Sequence, residues 1–217
     1  MENNLNDIKD IDYSLYLVTD RKVLGNRDLC KSIKEAIQGG VSLVQLREKD
    51  LGTNEFYKLA KKIKKITDEH DVPLIINDRI DIALAVDADG VHVGPDDLPI
   101  SVARNILGPN KIVGASTCNI EEALEAQKQG ATYLGVGAIF PTATKSNTDD
   151  VSIEDLACIK KAVNIPIVGI GGINEKNASK VMTAKVEGIA VVSAILGKSD
   201  IKNAANQLYE IIRSSNR

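Results

Sequence analysis

Eight short runs rich in Val, Ile and Leu recur along the chain, starting roughly every 25 residues. They are YSLYLVTD (13–20), VSLVQLR (41–47), PLIIND (73–78), GVHVG (90–94), KIVGAS (111–116), YLGVGAIF (133–140), IPIVGIGG (165–172) and GIAVVSAI (188–195). Most are continuous rather than alternating. That is the pattern of strands covered on both faces, as in parallel sheets with helices packed outside. Helical stripes fill the intervals. Phe56, Leu59, Ala60, Ile63 and Ile66 fall on one helix face, and so do Ile201, Ala204, Ala205, Leu208, Ile211 and Ile212. Ser152 and Asp155 read as a capping box, and Asn174 as the N-cap of the stretch carrying Ala178, Val181 and Met182. Gly39-Gly40, Gly130 and Gly188 stand where a helix stops and the next strand begins. Eight such units with no Pro/Gly/Ser-rich linker predict an α/β protein, a single (β/α)8 TIM barrel over residues 1–217. The rival is an open, doubly wound sheet.

Composition narrows the function. The chain is 43% apolar and 26% charged, which excludes a disordered or fibrous protein. Lys and Arg number 27 against 30 Asp and Glu, so no basic footprint for nucleic acid exists. Aromatic residues make up 3% and Trp is absent, which argues against base-stacking platforms. Cys30, Cys118 and Cys158 are far apart and carry no metal spacing, as expected in a reducing compartment. The opening MENNLNDIKD is not a signal peptide, and the apolar stretch 188–197 is too short to span a bilayer. A soluble, cytoplasmic protein with small-molecule partners is expected, with its oligomeric state open.

In a barrel the chemistry sits at the C-terminal ends of the strands, so the polar residues there are the informative ones. The second run ends in Gln45-Leu46-Arg47-Glu48-Lys49; Gln45, Arg47 and Lys49 share one face of extended chain. The bland alternative pairs Arg47 with Glu48 or Asp50. The third run ends in Asn77-Asp78, and Gly94-Pro95-Asp96-Asp97 follows the fourth. Asp78 and Asp97 read either as helix caps or as a converging pair on neighbouring strands. Two hard carboxylates with several waters suit Mg2+ held together with a phosphate, and Arg47, Lys49, Asn77 and Lys145 would suit a diphosphate. Ser116 at the end of the fifth run either caps the next helix or donates to an anion. Thr142, Ala143, Thr144 and Lys145 form a hydroxyl- and amide-rich anion cradle. Gly169-Ile170-Gly171-Gly172 and Val191-Val192-Ser193 lie after runs seven and eight, where barrels often bind phosphate. His70 reads as solvated, His92 as packed and hydrogen-bonded, and Cys118 as a bystander with no partner base.

QLREK (45–49), ND (77–78), GPDD (94–97), GAS (114–116), FPTATK (140–145), GIGGI (169–173) and VVSAI (191–195) together resemble the thiamine-phosphate synthase family in order and spacing. The resemblance runs from the first strand to the last helix. It implies a magnesium-dependent transferase. Such an enzyme joins 4-amino-2-methyl-5-hydroxymethylpyrimidine diphosphate to 4-methyl-5-(2-phosphoethyl)thiazole, or its carboxylated form, and releases pyrophosphate. By position it implies that Gln45, Leu46, Arg47, Glu48, Lys49, Asn77, Ser116 and Lys145 contact the pyrimidine diphosphate. Asp78 and Asp97 would hold Mg2+. Thr142, Ala143, Thr144, Gly172, Val192 and Ser193 would hold the thiazole phosphate. Arg47, Lys49, Ser116 and Lys145 would carry the chemistry. In that family a His often follows the Ser-Thr pair of the fifth strand; here Cys118 stands there, and Pro95 replaces a commoner Gln.

That reaction needs no protein nucleophile. Loss of diphosphate leaves a cation that the aminopyrimidine ring stabilises, and the thiazole nitrogen attacks with its own lone pair. The protein's work would be electrostatic, with water kept out. The readings that stand beside it are a thiazole tautomerase, a non-catalytic barrel that binds a thiamine precursor, and a sugar-phosphate isomerase.

Overall fold

The computed structural model describes residues 11–142 and 150–215. Along the chain run β1 (Leu15–Val18), α1 (Arg21–Leu24), α2 (Leu29–Gln38), β2 (Leu43–Leu46), α3 (Thr53–Asp68), β3 (Leu74–Asn77), α4 (Ile80–Ala85) and β4 (Gly90–Val93). Then come α5 (Ile100–Leu107), β5 (Ile112–Thr117), α6 (Ile120–Lys128), β6 (Tyr133–Val136), α7 (Ile153–Ala162) and β7 (Ile167–Ile170). The chain ends with α8 (Ala178–Met182), β8 (Gly188–Val191), α9 (Ser193–Leu196) and α10 (Ile201–Ser215). Each strand pairs in parallel with the next, and β8 pairs with β1 through Leu15–Ile189 and Tyr16–Ala190, which closes the sheet. The open-sheet alternative is therefore excluded. Among the described residues no helix is long and apolar enough to cross a membrane.

Closure splits each strand between two apolar layers. Leu15, Leu17, Val44, Leu46, Leu74, Ile76, Val91 and Val113 face outward and meet the buried stripes of the helices, such as Phe56, Ala60 and Ile63 of α3. Tyr16, Val18, Leu43, Ile75, Ile112, Tyr133, Val168 and Ala190 point inward and fill the barrel. Register brings inward residues side by side: Ile75 beside Gly90, His92 beside Gly114, Ser116 beside Gly135. The glycines make room for rings. A Cβ on Gly114 would lie 2.2 Å from Cζ of Tyr133, and one on Gly135 would lie 3.2 Å from Cε1 of His92. A barrel this narrow admits a large ring on one strand only where its neighbour has no side chain.

The strand-to-helix turns are locally encoded. Asp20, Asp28 and Asn119 accept from backbone amides at the starts of α1, α2 and α6, and Ser152 accepts from the Asp155 amide while donating to its carboxylate. One expectation needs correction. Asn177, not Asn174, is the N-cap residue of α8. Asn174 instead closes the turn before it, with its side chain accepting from the Lys176 amide and its amide donating to Asn177. An Asx turn and an N-cap call for the same residue type, so sequence alone does not separate them.

Gly114→Ala is expected to lose about 1–3 kcal/mol in urea unfolding, because the new methyl must displace the Tyr133 ring. A stability equal to that of the parent would mean that the ring is not confined by its neighbours.

Candidate active site

At the C-terminal end of the barrel the inward residues change from apolar to polar. Gln45, Asn77, His92 and Ser116, from β2, β3, β4 and β5, line a cleft of about 290 Å3 floored by Val168, Ile170 and Ala190. The cleft opens into a wider vestibule of about 710 Å3, and Arg47, Lys49, Thr142, Gly172, Ile173 and Ser193 border both.

Two ion pairs hold the segment after β2. The Thr19 hydroxyl accepts from the Arg47 amide at 2.9 Å, which keeps the chain beside β1 beyond the last ladder bond. Asp20 then uses one oxygen to cap α1 and the other to receive Arg47 Nη1 at 3.1 Å. Arg21 Nε donates to both Glu48 oxygens at 2.7 and 2.9 Å. Burial pushes the Glu48 carboxyl up from its ordinary range, and Arg21 opposes this without reversing it. The partner of Arg47 is thus Asp20, 27 residues earlier at the end of the preceding strand, and neither Glu48 nor Asp50.

The acidic pair is built by β3 and β4. Asp78 follows β3 with φ 63°, a left-handed conformation that turns its carboxylate toward the next strand's loop. It receives Lys49 Nζ at 2.5 Å. Asp97 accepts the Gly94 amide at 2.7 Å and lies within hydrogen-bonding reach of Asp78. Burial, and next the neighbouring Asp78, raise the Asp97 carboxyl above the usual range, while the Gly94 amide and Lys49 pull it down. Neither aspartate caps a helix, since Arg79 precedes α4 and Pro99 precedes α5. A carboxylate whose proton affinity a neighbouring carboxylate raises also suits, together with that neighbour, a shared hard cation. Among the described residues no cluster of three or more Asp, Glu, His or Cys could hold a metal, so an ion here would keep sites for water or substrate oxygens.

Of the residues singled out in the sequence, Gln45, Arg47, Lys49, Asn77, Asp78, Asp97, Ser116, Thr142, Gly172, Val192 and Ser193 are gathered around the cleft. Glu48 borders only the vestibule. The Leu46 side chain is fully buried against the helices, so only its backbone remains for a ligand. The reason is the two-residue period of the strand, which turns Leu46 outward when Gln45 faces inward. Ala143, Thr144 and Lys145 lie outside the described residues. Cys118 bonds with Glu122 and lines neither cavity. Tyr16, Asp20 and Arg21 were not singled out in the sequence, whereas His92 is packed and hydrogen-bonded as expected. Tyr16 sits inside an apolar run, and nothing in a lone phenol distinguishes a cleft wall from a core.

Fold and site together define a (β/α)8-barrel enzyme with a mixed-charge site at the C-terminal rim of its strands. Residues 15–195 match the family described as thiamine monophosphate synthase. The thiamine-phosphate synthase of Clostridium acetobutylicum is 59% identical over 208 residues, which is 96% of this chain and 99% of that protein. The one from Clostridium tetani is 58% identical over 200 residues, 92% of this chain and 96% of that one. Among solved structures, thiamine phosphate pyrophosphorylase from Pyrococcus furiosus is 43% identical with a TM-score of 0.87, over 94% of this chain and 98% of that one. The chain belongs to the thiamine-phosphate synthase family.

Asp20 carries two separable interactions. Asp20→Ala is expected to lose about 1 kcal/mol in urea unfolding with its cap, and Asp20→Asn to recover most of that, since an amide caps a helix nearly as well. Equal losses in both variants would put the stability in the Arg47 ion pair instead.

Proposed function

We propose that the protein condenses 4-amino-2-methyl-5-hydroxymethylpyrimidine diphosphate with 4-methyl-5-(2-phosphoethyl)thiazole to give thiamine phosphate and pyrophosphate, or with its carboxylated form to give the same products and carbon dioxide. Family membership over most of the chain supports the reaction. The observation that carries it is the meeting of Asp78 and Asp97 beside Lys49, with Arg47 close by on the same wall of the cleft. A thiazole tautomerase or a passive precursor-binding barrel has no use for that arrangement.

The carbon–oxygen bond to diphosphate breaks with its electron pair on the leaving group, and the thiazole nitrogen then bonds to the resulting pyrimidinylmethyl cation. The nitrogen carries no proton, so no base is needed. Arg47 and Lys49 lie where a diphosphate would replace their present carboxylate partners. Lys145 and the Ser116 hydroxyl would add donors as charge gathers on the departing oxygens. Asp78 and Asp97 would hold a Mg2+ ion, which would supply positive charge to neutralise part of that on the diphosphate. Thr142, Gly172, Val192 and Ser193 border the cleft on the far side, where the thiazole phosphate would bind. At Gly172, φ is 61° and an added Cβ would lie 2.6 Å from the Pro141 carbonyl oxygen, so its amide can approach an anion closely while a larger residue could not. The apolar floor of Val168, Ile170 and Ala190 would keep water from the cation.

Pyrophosphate release by purified protein with Mg2+ should require both substrates. Release at the same rate without the thiazole phosphate would mean a hydrolase. Lys145→Ala should lower kcat by ~10²–10³ with KM for the thiazole phosphate little changed. Asp78→Asn and Asp97→Asn should each raise the Mg2+ concentration for half-maximal rate, and the double variant should lose much less than the product of the single effects. Independent effects would assign the two residues separate structural roles.

A further inference from the structure

Five side chains from five strands form one unbroken hydrogen-bonded chain through the barrel. Gln45 Nε2 donates to Tyr16 Oη at 2.8 Å, and Tyr16 Oη and Tyr133 Oη are 2.7 Å apart. Tyr133 Oη lies 2.8 Å from His92 Nδ1, and His92 Nε2 lies 2.9 Å from Ser116 Oγ. Gln45, Tyr16, His92 and Ser116 all border the cleft, whereas Tyr133 is fully buried and does not. The chain thus leaves the cleft on one wall, passes beneath it through Tyr133, and returns on the opposite wall.

Proton accounting gives this chain a direction. An amide nitrogen only donates, and each phenol has a single proton. With Gln45 Nε2 on Tyr16, Tyr133 is the hydrogen-bond partner left to take the Tyr16 proton, and the Tyr133 proton then goes to His92 Nδ1. The His92 proton must then sit on Nε2 and point at Ser116 Oγ. Ser116 accepts there, and its own proton is free for a ligand. Turning the Gln45 amide over puts Oε1 on Tyr16 and reverses every bond, after which Ser116 spends its proton on His92. Burial keeps both phenols protonated, so the chain transmits orientation and not charge. The Ser116–His92 contact also resembles a nucleophile–base pair. Its third member is a neutral phenol, however, and that cannot stabilise an imidazolium as a carboxylate would.

We propose that Tyr133 and His92 are positioning residues that couple the amide orientation of Gln45 to the donor character of Ser116. Seating of the pyrimidine amine on Gln45 Oε1 thereby aims the Ser116 proton at the leaving diphosphate. This rests on the reading of the site given above and adds a coupling to it.

The chain has two histidines, so nitrogen-detected NMR of the untagged, unmutated protein resolves both. His70 uses Nδ1 against the Ile66 carbonyl at 2.9 Å, so its neutral ring carries the proton on Nδ1 and serves as an internal reference. His92 should show the opposite, Nε2–H tautomer, and Tyr133→Phe should abolish that bias. The same variant should lower kcat for pyrophosphate release about three- to tenfold, the range for one neutral hydrogen bond, with KM for both substrates within about twofold. In a Ser116→Ala background it should cost nothing further. A His92 proton on Nδ1, an unchanged kcat, or an equal cost in both backgrounds would overturn the coupling alone. A fully active Ser116→Ala would overturn the coupling together with the role given to Ser116. If Tyr133→Phe does not fold, Tyr16→Phe is carried through the same cycle, with the same outcomes deciding.

Discussion

A closed parallel sheet leaves its side chains one narrow interior to fill, and the rest of this molecule follows from how that space is filled. The backbone groups are spent on the ladder, so no strand edge is free for a ligand or a partner strand. The inward residues must pack without gaps, and any polar atom among them must find a partner, at a cost of about 1–3 kcal/mol if it does not. The Tyr133 and His92 rings therefore stand beside glycines, and the phenols of Tyr16 and Tyr133 bond to each other and to Gln45 and His92. Apart from the buried tyrosines, the inward polar side chains gather toward the C-terminal end, where Gln45, Asn77, His92 and Ser116 line the cleft.

This constraint explains which parts were legible in sequence. Each of the eight apolar runs contains or nearly matches a strand, because strands buried on both faces need continuous Val, Ile and Leu. The stripes 56–66 and 201–212 fall within α3 and α10, where one face packs on the sheet. The rim residues were legible because polar groups at the ends of apolar runs have few other reasons to be there. The convergence of Asp78 and Asp97 followed from the adjacency of β3 and β4 once a barrel was assumed.

What stayed hidden depends on distance in the chain or on side-chain direction. The Asp20–Arg47 and Arg21–Glu48 pairs join residues 27 apart, and many carboxylates were equally plausible partners. Leu46 belonged to a contiguous motif, yet the strand period turns its side chain away from the cleft. Tyr16 and Tyr133 were indistinguishable from core aromatics, since their hydrogen bonds lie in the hydroxyl and their burial in the ring. Asn174 and Asn177 are separated only by which of two turns each one closes.

On the proposed reading, Arg47 and Lys49 are cations that must exchange their carboxylate partners for a diphosphate. Arg47 rests on Asp20 and Lys49 on Asp78, and the Lys49 side chain is about half exposed. A pair with one partner so exposed contributes little net stability, so on the proposed reading exchanging the Asp78 carboxylate for a diphosphate at Lys49 costs the fold little. Asp20 remains useful after the exchange because its other oxygen still caps α1. Asp78 is in a different position. On the proposed reading a divalent ion and Lys49 compete for the same carboxylate, so an ion that takes Asp78 also releases an ammonium group beside the diphosphate. The two positive charges would then reach the leaving group together, and neither would have to be desolvated alone. A carboxylate pair rather than a closed four-ligand cage suits that exchange, because an ion held by two oxygens keeps room for the substrate that brings the rest.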